Sequence, residues 1–330
     1  MNSNIPHTII ELSAVITDDL QGARLDQAAH QLFPDYSRAR LQQWIESGEL
    51  RINGKTAKPK LRVIGGETLT VNAEVEAETR WAAQQIHLDI VYEDESLLVI
   101  NKPEGLVVHP GAGNPDGTML NALLHHCPTL AQVPRAGIVH RIDKETTGLL
   151  VVAKTLTAHA SLVGQLQEKT VRREYDAVTV GAMTGGGVVD ARIGRHPMQR
   201  IKQAVTESGK EAVTHYRIAK RFRAHTHVKC FLETGRTHQI RVHMAHIGYP
   251  LVGDPLYGGR LRLPKAATPE LVQVLNSFPR QALHASKLAL IHPETDDEME
   301  FSSPLPADLQ KLLNALNEDT LAHANDSFGK

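Results

Sequence analysis

The stretch GIVHRIDKETTGLLVVAKT, Gly137 to Thr155, decides the fold. It sets one carboxylate, Asp143, among the cations Arg141 and Lys144 in a polar loop. That loop runs directly into a Gly-initiated apolar run, Gly148 to Ala153, with the length and β-branched content of a buried strand. An isolated Asp-Lys pair is ordinarily a solvated surface contact. Two further segments argue for more. NKPEGLVVHP, Asn101 to Pro110, and LETGRTHQIRVHM, Leu232 to Met244, likewise place polar and basic groups where a β-rich run breaks into a loop. Polar chemistry gathers at strand ends.

Outward from this point, LDIVYEDESLLVINKP from Leu88 reads as a hairpin turning at Glu93 to Ser96. Further β-rich runs cover Arg173 to Val180, Ala212 to Ile218 and His227 to Glu233, and Thr157 to Gln167 has helical spacing. RQALHASKLALIHP, from Arg280, reads as a strand returning to the sheet, and THQIRVH as another strand. The expectation is an α+β fold whose main domain, residues 86–306, is a mixed, largely antiparallel sheet flanked by helices and loops. Residues 307–330 read as a helix and acidic tail.

The N-terminal part has a different pattern. ARLDQAAHQLFP places Leu25, Ala28, Ala29, Leu32 and Phe33 at helical spacing, with Pro34 as a stop. Ser37 is a candidate cap for a second helix, RARLQQWIESG, which carries Leu41, Trp44 and Ile45 on one side. ELRINGKTAKP then has an Asn-Gly hairpin signal, and ETLTVNAEV alternates as a strand. This block, residues 23–72, resembles the S4 RNA-binding domain through RLDQ from Arg24, SRARLQQWI from Ser37, GELRINGK from Gly48 and GGETL from Gly65. The resemblance implies that Arg38, Arg40, Arg51, Lys55, Lys58 and Lys60 lie near one rim where cations meet phosphates without reading bases. Residues 1–22 read as an N-terminal segment, and the polar AEVEAETRWAAQQ, 73–85, as a linker.

Composition narrows the function classes. With 41% hydrophobic and 22% charged residues, and no apolar run approaching the roughly 18 residues of a membrane helix, nothing in the text spans a bilayer. MNSNIPHTIIELSAV lacks the features of a secretory signal, so the cytoplasm is the default. Cys127 and Cys230 are too isolated for a disulfide framework. The net charge of −1 conceals a division. Asp190 to Lys265 holds 15 Lys and Arg against 5 Asp and Glu, whereas Glu294 to Lys330 holds 2 against 9, so a basic centre suited to RNA is masked by an acidic tail. No phosphate-binding loop is legible, and GAGNPDG from Gly111 fits no nucleotide fingerprint. His238, His243 and His246 invite a metal, but as a strand they would diverge, and no Cys or acidic ligand accompanies them.

HRIDKETTGL from His140, REY from Arg173 and GRTHQIRVH from Gly235 together resemble the RluA family of pseudouridine synthases, over nearly the whole chain. Ile142, where Leu is common in the family, is a conservative departure. The resemblance implies an isomerase that breaks the uracil N1 to C1′ bond and joins C5 to C1′. No atoms are gained, so no cofactor or metal is required. It also implies that Asp143 adds to the ribose carbon or takes its 2′ proton. Arg241 would be its ion-pair partner, and Tyr175 would stack on the uracil and be a candidate for the C5 proton. Arg141, flanked on its loop by His140 and Lys144, would fill the gap left by the flipped base or hold a phosphate. Arg236 and His238 are further RNA contacts. The expected partner is large-subunit ribosomal RNA, at clustered uridines in a helix-capping loop, naked or within an assembling particle, with the enzyme a monomer. Two other readings stay open: a glycosidase, which would need a second acid, and a catalytically idle RNA-binding assembly factor.

Overall fold

The structure is a computed structural model that describes residues 7–33, 36, 38–76, 81–111, 113–199 and 201–324. Pro34 and Ser37, the expected helix stop and cap, lie outside the described residues. The chain divides into two compact units, residues 1–80 and 81–330.

The first unit comprises β1 (His7–Val15), α1 (Leu25–Leu32), α2 (Arg38–Ser47), β2 (Leu50–Ile52) and β3 (Thr68–Glu76). Its core joins Leu25, Ala28 and Ala29 of α1 and Leu41, Trp44 and Ile45 of α2 to Leu50, Leu69 and Val71 of the sheet. The apolar helix spacing is thus the packing face. Two features differ from the sequence reading. The N-terminal segment supplies β1, which pairs antiparallel with β3 along its whole length, and Ile16 and Leu20 behind it enter the same core. The expected hairpin after Leu50 closes on a single bridge, Ile52 to Lys55, and β2 pairs with β3 instead. From Lys55 to Gly66 the chain has no sustained alternation, and Pro59 removes a ladder donor. Asp26 is wholly buried between the helices and receives Arg24 Nε at 2.9 Å, Arg38 Nη2 at 2.6 Å and Gln42 Nε2 at 2.5 Å. Burial by itself would raise its pKa; these donors bring it down to about 2.

The second unit runs β4 (Ile90–Glu93), β5 (Leu97–Lys102), α3 (Met119–His126), β6 (Thr147–Ala153), α4 (Leu156–Gln167), β7 (Arg172–Val180), β8 (Gly187–Asp190), β9 (Ile193–Arg195) and β10 (Gln203–Val205). It continues β11 (Val213–Arg221), β12 (His225–Leu232), α5 (Gln239–His246), α6 (Pro269–Ser277), β13 (Leu283–Ile291), β14 (Glu298–Ser302) and α7 (Ala307–Ala322). The main sheet is ordered β4-β5-β6-β13-β7-β12-β11-β8, with β14 on β13, and β9 and β10 form a separate hairpin. Every pairing is antiparallel except β6 with β13. From Gly148 on, β6 is apolar because both faces are covered. Leu150 and Val152 face α3 and α5, while Leu149, Val151 and Ala153 face Ala158 and Leu162 of α4.

The expected THQIRVH strand is a helix, α5. Ile240, Val242 and Met244 alternate like strand residues, but all six residues from Gln239 to Met244 are buried. Where every side of a short helix is enclosed, the sequence loses the polar face that would reveal its 3.6-residue period.

Candidate active site

The loop before β6 is clamped at both ends by close backbone approach. Gly148 has φ +110°, and a Cβ there would stand 2.2 Å from the Ala285 carbonyl oxygen of β13. Gly137 has φ +78°, and its Cβ would stand 1.9 Å from the Ala153 carbonyl oxygen. Between them, Ile142 is sunk in the core and the Asp143 carbonyl accepts the Thr146 N–H at 3.0 Å. Lys102, at the end of β5, donates Nζ to the carbonyls of Lys144 (2.8 Å), Pro103 (2.6 Å) and Leu106 (3.0 Å). Burial draws its pKa down to about 7, against the pull of Glu145 and Asp143. Arg280 donates to the Glu145 carbonyl at 3.2 Å, and Gln281 Nε2 to Thr146 Oγ1 at 3.0 Å. Both loop ends and the middle are thereby fixed on the sheet.

Asp143 is left with its carboxylate 16% exposed. Arg241, from α5, donates Nη1 to Asp143 Oδ2 at 2.9 Å. The same guanidinium grips Asp254 through two parallel bonds, Nε to Oδ2 at 2.7 Å and Nη2 to Oδ1 at 2.9 Å. Asp254 in turn caps the turn after Gly253, accepting the N–H groups of Leu256 and Tyr257. Burial works against the charge on Arg241, yet the bonds and charge of Asp254, with Asp143 behind them, raise its pKa overall. The Tyr257 ring lies 5.1 Å from the guanidinium carbon, adding a cation–π contact. A Nη1–H aimed at one carboxylate oxygen is what remains for Asp143, which lines the pocket and whose Oδ1 has His238 Nε2 3.9 Å away.

His238 adopts left-handed backbone at φ +58° as the residue before α5, and its Nδ1 meets the Tyr257 hydroxyl at 2.8 Å. Burial lowers its pKa, partly offset by Asp143, so the imidazole is neutral near pH 7. His243 is buried between Thr214 Oγ1 and the Ala191 carbonyl, each at 2.9 Å, and His246 is exposed. The three histidines point to three different places. Among the described residues no group of three or more His, Cys, Asp or Glu is placed to hold a metal ion.

Tyr175 lies on the central strand β7, opposite Cys230 of β12 and Ala285 of β13, and its ring lines the Asp143 pocket with Leu232, Ile240 and Leu283. Burial, with Asp143 adding and Arg173 opposing, pushes the phenol pKa up. Burial thus favours the neutral phenol, and the ring is suited to stacking. Arg141 is exposed and, among the described residues, without a hydrogen bond or ion pair. Lys144 is also exposed, while the half-buried His140 accepts the Val151 N–H on Nε2 at 3.1 Å, and burial takes its pKa down to about 3. Beside the pocket opens a cleft of about 810 Å³, whose walls include Arg135, His140, Arg141, Lys169, Arg173 and Arg236. Arg236 is exposed there, its Nε on the Glu211 carbonyl at 2.8 Å.

In the first unit, Arg51, Lys55, Lys58 and Lys60 are exposed. Arg38 differs from the expectation of a free rim cation: its guanidinium is engaged by Asp26. Arg40 is partly buried and interacts within the protein. Sequence reasoning passed over Asp254, Tyr257, Lys102 and Arg280. The one available signal was GDPLYG from Gly253, an acidic residue between an apolar run and proline.

Residues 96–246 match the RNA pseudouridylate synthase family, and residues 23–69 the S4 domain. The chain is 59% identical over 311 residues to the ribosomal large subunit pseudouridine synthase D of Pseudomonas aeruginosa, covering 94% of this chain and 97% of that one. It is 55% identical over 318 residues to the protein of the same name from Escherichia coli K12, covering 96% and 98%. Among solved structures, human RNA pseudouridylate synthase domain containing 4 superposes with a TM-score of 0.54 at 27% identity, over 69% of this chain and 92% of that one. The pocket around Asp143 therefore sits in a chain that belongs to the RNA pseudouridine synthase family.

Proposed function

We propose that this protein isomerises specific uridines to pseudouridine in large-subunit ribosomal RNA, with the carboxylate of Asp143 attacking the ribose. The observation that carries the reading is the chain Asp254–Arg241–Asp143: a buried, two-point-held guanidinium that fixes one oxygen of a solvent-reached carboxylate beside the Tyr175 ring. Asp143 Oδ1 is free to add to C1′ or to take the 2′ proton, and Tyr175 offers a face for the uracil. Breaking N1–C1′ and making C5–C1′ leaves the atom count unchanged, so no cofactor enters. The proton leaving C5 needs an acceptor, and the raised pKa of Tyr175 favours Asp143 or water over a phenolate.

Arg141, unpartnered and two residues from Asp143, is placed to stack in the gap left by the extruded base, with Lys144 beside it on the RNA side. The glycosidase alternative lacks its second acid: Asp143 is the one carboxylate among the described residues that line the pocket, and Asp254 behind it is consumed by Arg241. The exposed Arg51, Lys55, Lys58 and Lys60 of the first unit serve as phosphate contacts. The relatives, large-subunit pseudouridine synthases by name, support the large-subunit substrate. On this reading the enzyme works as a monomer in the cytoplasm, on free RNA or on the assembling particle.

The test is carbodiimide-based mapping of pseudouridine in ribosomal RNA from cells lacking the protein, complemented with wild type or Asp143→Asn. Specific large-subunit sites should vanish and return only with wild type. Restoration by Asp143→Asn would make the protein an assembly factor, and unchanged ribosomal sites would move the substrate to another RNA.

A further inference from the structure

Among the described residues of the second unit, three guanidiniums are almost entirely buried: Arg280 at 1%, Arg241 at 4% and Arg173 at 7% exposure. Arg241 is held by Asp254 and Asp143, and Arg280 by Asp308 and Glu104. Arg173 has no carboxylate partner among the described residues. Its Nη2 reaches the carbonyls of Leu232 and Glu233 at the long distances of 3.4 and 3.2 Å, and its buried Nε has no partner. A cation taken out of water without a counter-charge is costly, and native proteins keep few of them without a use.

Arg173 stands two residues before Tyr175 on β7, which puts both on one face of the strand about 7 Å apart. It lines both the Asp143 pocket and the neighbouring cleft. Among the described residues the cleft has no spare anion. Its two acids, Glu211 and Glu233, share Lys169 at 3.0 and 3.1 Å. The remaining guanidiniums act on the imidazoles there: burial lowers the pKa of His109, then Arg135 and Arg141; burial lowers that of His140, then Arg173.

We propose that Arg173 is a phosphate seat, binding the phosphodiester next to the target uridine where the catalytic pocket meets the cleft, so that the RNA supplies the counter-charge the protein omits. The backbone is thereby pinned about one nucleotide from the base stacked on Tyr175. This deepens the RNA-modifying reading and rests on it. The other anion that could meet Arg173 is the departing uracil, and the experiment separates the two.

Full-length wild type, Arg173→Met and Arg173→Lys are each titrated with a uridine-loop RNA hairpin. In a matched series, a single uncharged methylphosphonate replaces each linkage from two before to two after the target. Kd and the single-turnover rate are read for every pair. One linkage should stand out: its neutralisation weakens wild-type binding about tenfold but leaves Arg173→Met indifferent, with Arg173→Lys between. Arg173→Met should also flatten the log–log salt dependence by about 0.7 to 0.9. Losses that simply multiply at every linkage would overturn the proposal. So would an Arg173→Met protein that binds normally and reacts slowly, the signature of a uracil contact. Should Arg173→Met not fold, indifference of the wild type to every methylphosphonate decides against the seat. If the wild type forms no pseudouridine in any RNA, the functional reading fails, while the binding coupling is still measured.

Discussion

Asp254→Asn would probe how the Asp143 carboxylate is aimed. The amide is nearly isosteric, and its oxygen can still accept the N–H groups of Leu256 and Tyr257. With that oxygen in the Oδ1 position, its NH2 must confront Nε–H of Arg241, where an acceptor stood at 2.7 Å. One charge-assisted bond is lost, the bond from Nη2 now goes to a neutral amide oxygen, and Asp143 is left as the carboxylate partner of the buried guanidinium. Removing one partner of a buried pair costs about 3–5 kcal/mol. At about 2–4 °C per kcal/mol for a domain of this size, the melting point should fall by roughly 6–20 °C. Loss of a single bond to a charged group is worth about 1.5–3 kcal/mol, or about 10- to 160-fold in the chemical step if that energy aims Asp143. Single-turnover release of tritium from C5-labelled uridine RNA, below the variant's melting point, measures the step directly. RNA affinity should stay within about threefold, since Asp254 is out of reach of RNA. A folded Asp254→Asn enzyme with a rate within twofold of wild type would refute the clamp, and a parallel loss of affinity would assign Asp254 to shape alone.

Gly148→Ala should cost more than about 3 kcal/mol in urea unfolding, because a Cβ 2.2 Å from the Ala285 carbonyl forces β6 and β13 apart; a loss below about 1 kcal/mol would count against that approach. Asp176 is buried against His227 at 2.5 Å and Lys229 at 2.8 Å, and although burial alone would raise its pKa, these bonds bring it down to about 2. Its folded pKa is below the unfolded one, so about 2 kcal/mol of stability is present above pH 4 and lost toward pH 2, with about 1 kcal/mol gone at pH 3. Urea midpoints between pH 5 and 3 should fall less for Asp176→Asn than for wild type, and equal falls would refute the assignment. Lys55→Glu with Lys58→Glu should lower the salt slope of RNA binding by about 1.5; an unchanged slope would deny the first unit its phosphate contacts.

Much of this was legible in the text of the chain, and the gaps have identifiable causes. The turn at Glu93 to Ser96, the helix α4 and the returning strand β13 each carry a clear period and clear punctuation. α3, MLNALLHH, has buried residues from Met119 to Leu124, and α5 is buried likewise, so neither displays a polar stripe. The pairing of Asp143 with Arg241 follows from the resemblance of their motifs to a known family rather than from any local pattern, and the structure has them 2.9 Å apart. Asp254 was not, since its importance lies in a 13-residue return to Arg241 around a turn that no local pattern encodes. Arg173 belongs to the REY motif, but its missing counter-charge is a property of three-dimensional packing.

The position of β13 bears on how the chain is made. This strand, Leu283–Ile291, inserts between β6 and β7, strands more than a hundred residues earlier, and Arg280 and Gln281 just before it brace the Asp143 loop. During N-to-C synthesis the β4-β5-β6 sheet and the β7-β12-β11-β8 sheet must each wait with an open inner edge until this segment leaves the ribosome. The nascent enzyme therefore cannot act before nearly all of it has been translated. A chain stopped short of Arg280 would present two sticky half-sheets, a burden for chaperones rather than a partly active catalyst.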